Sequence, residues 1–352
     1  MSERPHPLVE LTRARILEFL REPEAVFWVF VFPVLLAFAL GIAFRAKPPE
    51  RTRVAVLAGT AASARVVALL EGAAHLEVLA MPAAEAAEAL RKGRVDVAVE
   101  VDAADGGVPS VTYRFDPTRT ESRAARLSVD DALQRALGRG DAATVREESV
   151  VESGSRYVDF LIPGLVGLNL MGSGMWGLGF SVVVARTRKL LKRFAATPMR
   201  RTDYLLSYAL SRLLFLVLEV AAVVVFGVVA FDVAVRGSLV SLAAVALLGA
   251  AAFSGLGLLI AARTKTIEAA SGWMNLVQLP MWLLSGSFFS YERFPEAVQP
   301  AIRALPLTAL NDALRAVMND GAPLLASWPE LAVLLAWGGV SFVVAVKIFR
   351  WQ

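Results

Sequence analysis

Residues 160–185 read FLIPGLVGLNLMGSGMWGLGFSVVVA, and residues 186–203, directly after them, read RTRKLLKRFAATPMRRTD. The first stretch holds 26 residues without a charge. About 20 suffice for a helix to cross a hydrocarbon layer of roughly 30 Å. The second stretch carries Arg186, Arg188, Lys189, Lys192, Arg193, Arg200 and Arg201 against Asp203 alone. An apolar run that ends in a dense cationic loop reads as a transmembrane helix leaving the bilayer on its cytoplasmic side. The fold class that follows is an α-helical integral membrane protein.

Similar apolar runs occur at Val26–Phe44, Tyr204–Phe231, Leu239–Ala262, Ala269–Phe289 and Leu331–Val346, which brings the expected transmembrane helices to six. Ahead of the first, Leu8–Arg21 mixes Leu8, Ile16, Phe19 and Leu20 with Glu10, Arg13, Arg15, Glu18 and Arg21. That pattern suits an amphipathic helix in the interface, ended by Pro23. Residues 1–25 are thus expected as a cytoplasmic segment and 26–45 as the first span. The latter is expected to stay as an anchor, being longer than a signal-peptide core and preceded by mostly polar residues. The 232–238 loop carries one Arg236, so the cationic 186–203 loop sets the orientation. Both termini, including Lys347–Gln352, then lie in the cytoplasm of a bacterial cell, with the chain multi-pass in its inner membrane.

Between the first two spans, Arg45–Arg156 carries 16 Lys/Arg and 17 Asp/Glu, the composition of a water-exposed domain. Strands are expected at Val54–Leu57, Leu76–Leu79, Val95–Val101 and Val111–Phe115, and helices at Ser63–Glu71, Ala83–Lys92 and Thr120–Leu137. A last strand is expected near Thr144–Val151. Residues 46–156 are therefore expected as an extracytoplasmic α/β domain inserted after the first span, and 157–352 as a five-helix transmembrane domain. Within the latter, 290–328 is only moderately polar and contains Pro295, Pro300, Pro306 and Pro323. It is expected as short amphipathic or re-entrant helices on the external side.

Composition excludes several kinds of chemistry. Apolar residues make up 56% of the chain and charged residues 19%, so the net charge of +4 belongs to membrane-flanking loops and no nucleic-acid surface is expected. There is no cysteine, and His6 and His75 are too few for a metal site. No GxxxxGK[ST], HExxH or GxSxG sequence occurs, so no catalytic residue and no cofactor bound by this chain is expected.

Inside the expected spans four polar residues stand out as transport path or dimer seam: Asn169, Glu219, Asn275 and Gln278. Glu219 sits mid-span, where a charge costs on the order of 3 kcal/mol. A pairing with Arg212, seven residues earlier, is its plainer explanation, and a substrate or proton contact the functional one. The small residues of the second span, Gly164 to Gly179, suit close helix packing. Pro163 and Pro280 should kink their helices. Two other functions remain open on these residues: an ion-coupled transporter using Glu219, and a membrane sensor or anchor whose outer domain binds a ligand.

Several blocks, in order, resemble the type-2 ABC-transporter permease family, in the branch with a large extracytoplasmic domain after the first span. They are Arg21-Glu22-Pro23 leading into a span with Pro33; Tyr157-Val158-Asp159-Phe160-Leu161-Ile162-Pro163-Gly164; Lys192-Arg193 with Ala196-Thr197-Pro198; and Leu305-Pro306-Leu307 with Asp312, Ala313, Leu314 and Arg315. Many relatives carry an acidic residue in the third block, where Lys189–Arg193 here is basic or apolar. The resemblance implies a permease subunit of an ATP-driven exporter for a hydrophobic or amphipathic substrate. Its partners would be a cytoplasmic ABC ATPase that holds ATP and Mg, a second permease copy or paralogue, membrane lipids, and an envelope partner of the outer domain. It also implies ATPase coupling through Arg186, Arg188, Lys189, Lys192, Arg193, Thr197, Pro198, Arg200 and Arg201. A short helix from Arg186 to Ala195, ended at Pro198, would form a rigid peg whose basic face meets an acidic groove.

Overall fold

The computed structural model describes residues 7–44, 51–102, 110–140, 156–187 and 201–348, with residues 201–206, 208 and 209 described by backbone alone. The chain divides into two compact units, Ala46–Ser149 and the remainder.

The larger unit is helical. α1 (Pro7–Leu20) precedes α2 (Pro23–Ala43), which opens on Pro23, a residue suited to a first helical turn because its missing N–H has no partner there anyway. α2 passes through a π-helical stretch at Phe27–Val31, just before Pro33. α1 packs on the later helix Arg201–Phe231: Phe19 stacks 4.3 Å from Phe215, and Arg15 Nε donates to Ser207 Oγ at 3.2 Å.

The smaller unit is a four-stranded sheet with three helices. β1 (Thr52–Leu57), α3 (Ala61–Glu71), β2 (Leu76–Met81), α4 (Ala83–Arg91), β3 (Val97–Asp102), β4 (Ser110–Arg114) and α5 (Thr120–Ala136) follow in that order. The strand order is β2-β1-β3-β4, with β1 parallel to β2 and β3, and β4 antiparallel to β3. Side chains alternate faces along a strand. Val54, Val56, Val97 and Val99 therefore meet Val66 and Leu70 of α3 and Val129 and Leu133 of α5 on one face, while Ala55 and Ala98 meet Ala86 and Ala89 of α4 on the other. Small alanines let α4 lie close to its face. Thr60 and Ser63 start α3 with a reciprocal cap, each side-chain oxygen accepting the other's backbone N–H at 3.0 and 3.2 Å. That cap is why α3 begins two residues before the apolar periodicity alone suggests.

Back in the larger unit, α6 (Tyr157–Thr187), α7 (Arg201–Phe231), α8 (Leu239–Arg263) and α9 (Ile267–Leu284) run in succession. A 3-10 turn at Tyr291–Arg293, α10 (Gln299–Arg303) and α11 (Pro306–Met318) lead to α12 (Trp328–Ile348). The core joins Leu161, Leu165 and Met171 of α6 to Val245 and Phe253 of α8 and Leu307, Leu310 and Leu314 of α11.

Among the described residues five helical stretches are long and apolar enough to cross a membrane: Pro23–Ala43, Tyr157–Thr187, Leu210–Phe231, Leu239–Arg263 and Leu324–Ile348. The expectation of six is met by five on this measure. The run expected at Ala269–Phe289 forms α9, 18 residues in which Glu268, Asn275 and Gln278 lower the apolar character, and the chain leaves the helix at Ser285. The segment 290–328 does form short helices, of which α11 is mostly buried, on Leu307, Leu310, Leu314 and Met318. The strand expected near Thr144–Val151 lies outside the described residues.

Candidate functional site

α6 is the organising helix of the larger unit, and its sequence explains why. Gly174 and Gly179 turn one face into bare backbone: a Cβ on Gly179 would fall 2.6 Å from the Gly257 carbonyl of α8, and one on Gly257 only 3.0 Å from Met175. The two helices touch main chain to main chain, as small residues permit where water supplies no drive to association. In the same region Ser173–Phe180 is π-helical over eight residues. π-turns in helices concentrate at functional sites.

Another face of α6 is polar and reaches three different helices. Asn169 Nδ2 donates to the Val29 carbonyl of α2 at 3.1 Å. Ser173 Oγ accepts from Arg212 Nη2 of α7 at 2.7 Å and donates to Glu219 Oε2 at 2.8 Å. Trp176 Nε1 donates to Gln278 Oε1 of α9 at 2.9 Å. Arg212 Nη1 closes the middle cluster with a 3.0 Å ion pair to Glu219 Oε1. Glu219 is 2% exposed, and among the described residues the Arg212 guanidinium and the Ser173 hydroxyl are the groups that meet its carboxylate. Asn275, the fourth polar residue singled out from the sequence, is not part of this face; it is exposed on α9.

The asparagine contacts follow a rule set by proline. A proline has no N–H for the carbonyl four residues back, and in lipid that carbonyl must find another donor. Pro33 deprives Val29, and Asn169 supplies the bond. Pro163 deprives Asp159, and Asn319 Nδ2 donates to the Asp159 carbonyl at 2.9 Å. The next carbonyl, Phe160, accepts from Arg315 Nε and Nη2 at 3.4 Å.

Arg315 centres a second polar cluster, which ties α11 and residues 285–291 to the start of α6. Its guanidinium lies 3.7 Å from the Phe160 ring centroid, pairs with Asp312 at 3.3 Å and donates to the Gly286 carbonyl. Tyr291 Oη donates to Asp312 at 3.1 Å, Tyr157 Oη to the Phe288 carbonyl at 2.9 Å, and Asn311 Nδ2 to Ser287 Oγ at 2.9 Å. The sequence singled out Tyr157, Asp312 and Arg315 by resemblance; it gave no role to Asn319 or Tyr291, and it read Ser173 only as one of the small residues suited to close helix packing. The signal for Asn319 was Pro163, whose lost N–H calls for a donor at Asp159.

Arginines at the two ends of α6 close neighbouring helices. Arg156 donates to the Phe231 and Asp232 carbonyls at 3.0 and 2.9 Å, at the end of α7. Its pKa is held above the ordinary value chiefly by its hydrogen bond to Asp159. Arg186 Nη1 donates to the Ala261 and Thr264 carbonyls of α8 at 2.9 and 3.2 Å. A cation at a helix C-terminus satisfies orphan carbonyls and opposes the dipole's negative end. Arg186 thus ties the last described turn of α6 to the C-terminal end of α8. Arg188, Lys189, Lys192, Arg193, Thr197, Pro198 and Arg200 lie outside the described residues, and Arg201 opens α7 with its backbone alone described.

Comparison with known proteins bears on this arrangement. The family described as ABC-2 family transporter protein matches residues 24–347. Over 185 residues the chain is 25% identical to the transport permease YvfS of Bacillus subtilis, covering 52% of this chain and 74% of that protein. It is 35% identical over 75 residues to the inner membrane transport permease YhhJ of Escherichia coli, 21% of this chain and 20% of the relative. Nodulation protein J of Rhizobium meliloti is 31% identical over 112 residues, 32% of this chain and 42% of the relative. The match thus spans less than half the length of the last two. With the family match running through every apolar helix from α2 to α12, the chain belongs to the ABC-2 family of transporter proteins.

Proposed function

We propose that this chain is the transmembrane permease subunit of an ATP-driven exporter, moving a hydrophobic or amphipathic substrate out of the cytoplasm or inner leaflet, with ATP and Mg held by a separate cytoplasmic ABC ATPase. The observation that carries the reading is the family match over residues 24–347, which takes in the apolar helices and the basic segment between α6 and α7. Two of the relatives are themselves named transport permeases.

In this reading α9 is a sixth span, both termini and the 186–203 segment face the cytoplasm of a bacterial inner membrane, and the sheet unit stands outside, where it is free to meet an envelope partner. Two permeases pair, and each meets an ATPase through Arg188, Lys189, Lys192, Arg193, Thr197, Pro198, Arg200 and Arg201. Arg186 acts differently from its neighbours. Its hold on the last carbonyls of α8 gives the loop a fixed root, so force delivered to the loop passes into α6 and α8 together. From α6, the hydrogen bonds of Asn169, Ser173 and Trp176 lead to α2, α7 and α9.

The pairing of Glu219 with Arg212 and Ser173 supports a structural role for this carboxylate over the ion-coupled alternative, because its charge is already compensated. The test of the coupling role is Lys192→Glu with Arg193→Glu in membranes holding the ATPase. The double variant is expected to insert normally and hydrolyse ATP with transport reduced at least tenfold. Transport at the parental rate would remove the coupling role.

A further inference from the structure

The segment between α9 and α11 holds an open recess of about 450 Å3, lined by Glu292, Glu296, Gln299, Pro300 and Arg303. That volume falls within the ~300–1,000 Å3 usual for small-ligand sites. The sequence builds the recess from two short pieces that meet. Ser290 Oγ accepts from the Glu292 N–H at 3.2 Å and starts the 3-10 turn, while Pro300 suits the first turn of α10. Gln299 Nε2 joins the pieces, donating to the Phe294 carbonyl at 3.0 Å and the Glu292 carbonyl at 3.3 Å. An aromatic ring places Arg303, whose guanidinium carbon lies 5.7 Å from the Tyr291 centroid, and Tyr291 is itself tied to Asp312.

Charges of both signs line this recess without combining. Glu292, Glu296 and Arg303 are exposed, and among the described residues none of the three makes an ion pair. A ligand that is only an anion meets the two carboxylates unfavourably, and one that is only a cation meets Arg303 so; a zwitterion suits both signs. A primary ammonium brings three N–H donors to the carboxylates, which a quaternary ammonium lacks, and a phosphate accepts the paired donors of a guanidinium. Tryptophan marks the level of the recess in the bilayer. Trp337 Nε1 of α12 donates at 2.8 Å to the carbonyl of Ala304, the residue after Arg303. Indoles gather at the headgroup level, where one side is apolar and the other wet. Phe289 and Val298, exposed on the same segment, add apolar surface. A soluble zwitterion leaves that surface in water, whereas acyl chains cover it.

We propose that the recess binds the headgroup of a zwitterionic phospholipid with a primary ammonium, of the phosphatidylethanolamine type. The ammonium donates to Glu292 and Glu296, and the phosphate accepts from Arg303. Gln299 holds the two pieces of the site together, and Tyr291 holds Arg303. Such a site needs only that the chain lie in a membrane, whether or not it meets an ATPase and whichever side the segment faces. The bound lipid would also brace the turn that leads from α9 into α11, because Tyr291 links Arg303 to Asp312.

The test is native mass spectrometry of the full-length chain in detergent, titrated with dioleoyl phosphatidylethanolamine, phosphatidylcholine or phosphatidylglycerol. These lipids share their acyl chains and differ only in the headgroup. The parent is expected to bind phosphatidylethanolamine several-fold more tightly than the other two. Glu292→Gln with Glu296→Gln should abolish that preference, and Arg303→Gln should weaken phosphatidylethanolamine binding several-fold. Glu85→Gln with Glu121→Gln, which removes the same charge from exposed positions of the sheet unit, should bind as the parent does. Glycerophosphoethanolamine, the headgroup without acyl chains, should compete only in large excess. Equal binding of the three lipids by the parent would overturn the site, as would parental binding by the variants of the recess. A loss of the same size in the Glu85 and Glu121 variant would overturn its location. Competition by glycerophosphoethanolamine at equal concentration would overturn the assignment to a lipid.

Discussion

Asn169 illustrates how a single side chain makes a proline tolerable inside an apolar helix. Its amide replaces the N–H that Pro33 cannot offer to Val29. Asn169→Leu should destabilise the protein by about 1 kcal/mol, since an orphaned acceptor costs ~1–3 kcal/mol and interhelical hydrogen bonds in membranes average nearer ~0.6 kcal/mol. Pro33→Ala restores an N–H, so Asn169→Leu in that background should be close to neutral. Thermal unfolding of the four proteins in lipid nanodiscs checks it; an equal loss in both backgrounds contradicts the rule. A parallel argument applies to Glu219. Removing it by Glu219→Met strands the Arg212 cation, which is partly exposed, and should cost about 2 kcal/mol, below the ~3–5 kcal/mol of a fully buried pair. Arg212→Met together with Glu219→Met should cost less than Glu219→Met alone in the same measurement. The Glu219–Arg212 pairing was legible in the sequence because the two stand seven residues apart on one helix. Ser173 was not: nothing in a serine among glycines says that its hydroxyl meets a helix 39 residues further on.

At the scale of elements, the apolar helices could be read directly because length and the absence of charge decide them, and their observed ends fall close to the expected ones. α9 was the exception, since Glu268, Asn275 and Gln278 dilute its apolar signal. The strands were legible from alternation, but their order was not; β1 lies between β2 and β3 because Val54 and Val56 need cover from both α3 and α5, a tertiary condition no local pattern states. This unit has its own core and should fold when residues 46–149 are expressed alone, giving a cooperative melt by circular dichroism. Tyr113 is its one tyrosine. Its hydroxyl donates to Asp130 at 3.1 Å, and burial, followed by that neighbouring negative charge, raises its pKa above the ordinary 10. A raised pKa favours the protonated form in the folded state, so this contribution to stability is whole below pH ~10 and declines as pH rises beyond it. Ultraviolet titration of the isolated unit should show phenolate forming later than in the urea-unfolded chain, and Tyr113→Phe should flatten the alkaline loss of stability. Phenolate appearing at the same pH in both states would contradict the burial argument.

For the whole molecule, the proposed function has the energy for transport enter through a partner and arrive by way of the basic segment that begins at Arg186. The segment was conspicuous in the sequence through charge alone, and the structure adds the root: Arg186 closing α8 just where the segment begins. What α6 does could not be read from one sequence, because each of its contacts joins residues far apart in the chain, from Asn169 with Val29 to Trp176 with Gln278. The most direct test is a mild-detergent purification of the tagged chain from its native membranes, with the copurifying proteins identified and quantified by mass spectrometry. A soluble ATPase with a GxxxxGK[ST] motif, recovered at near-equal stoichiometry, is the predicted result. Repeated recovery of an intact chain without any such ATPase would contradict the account.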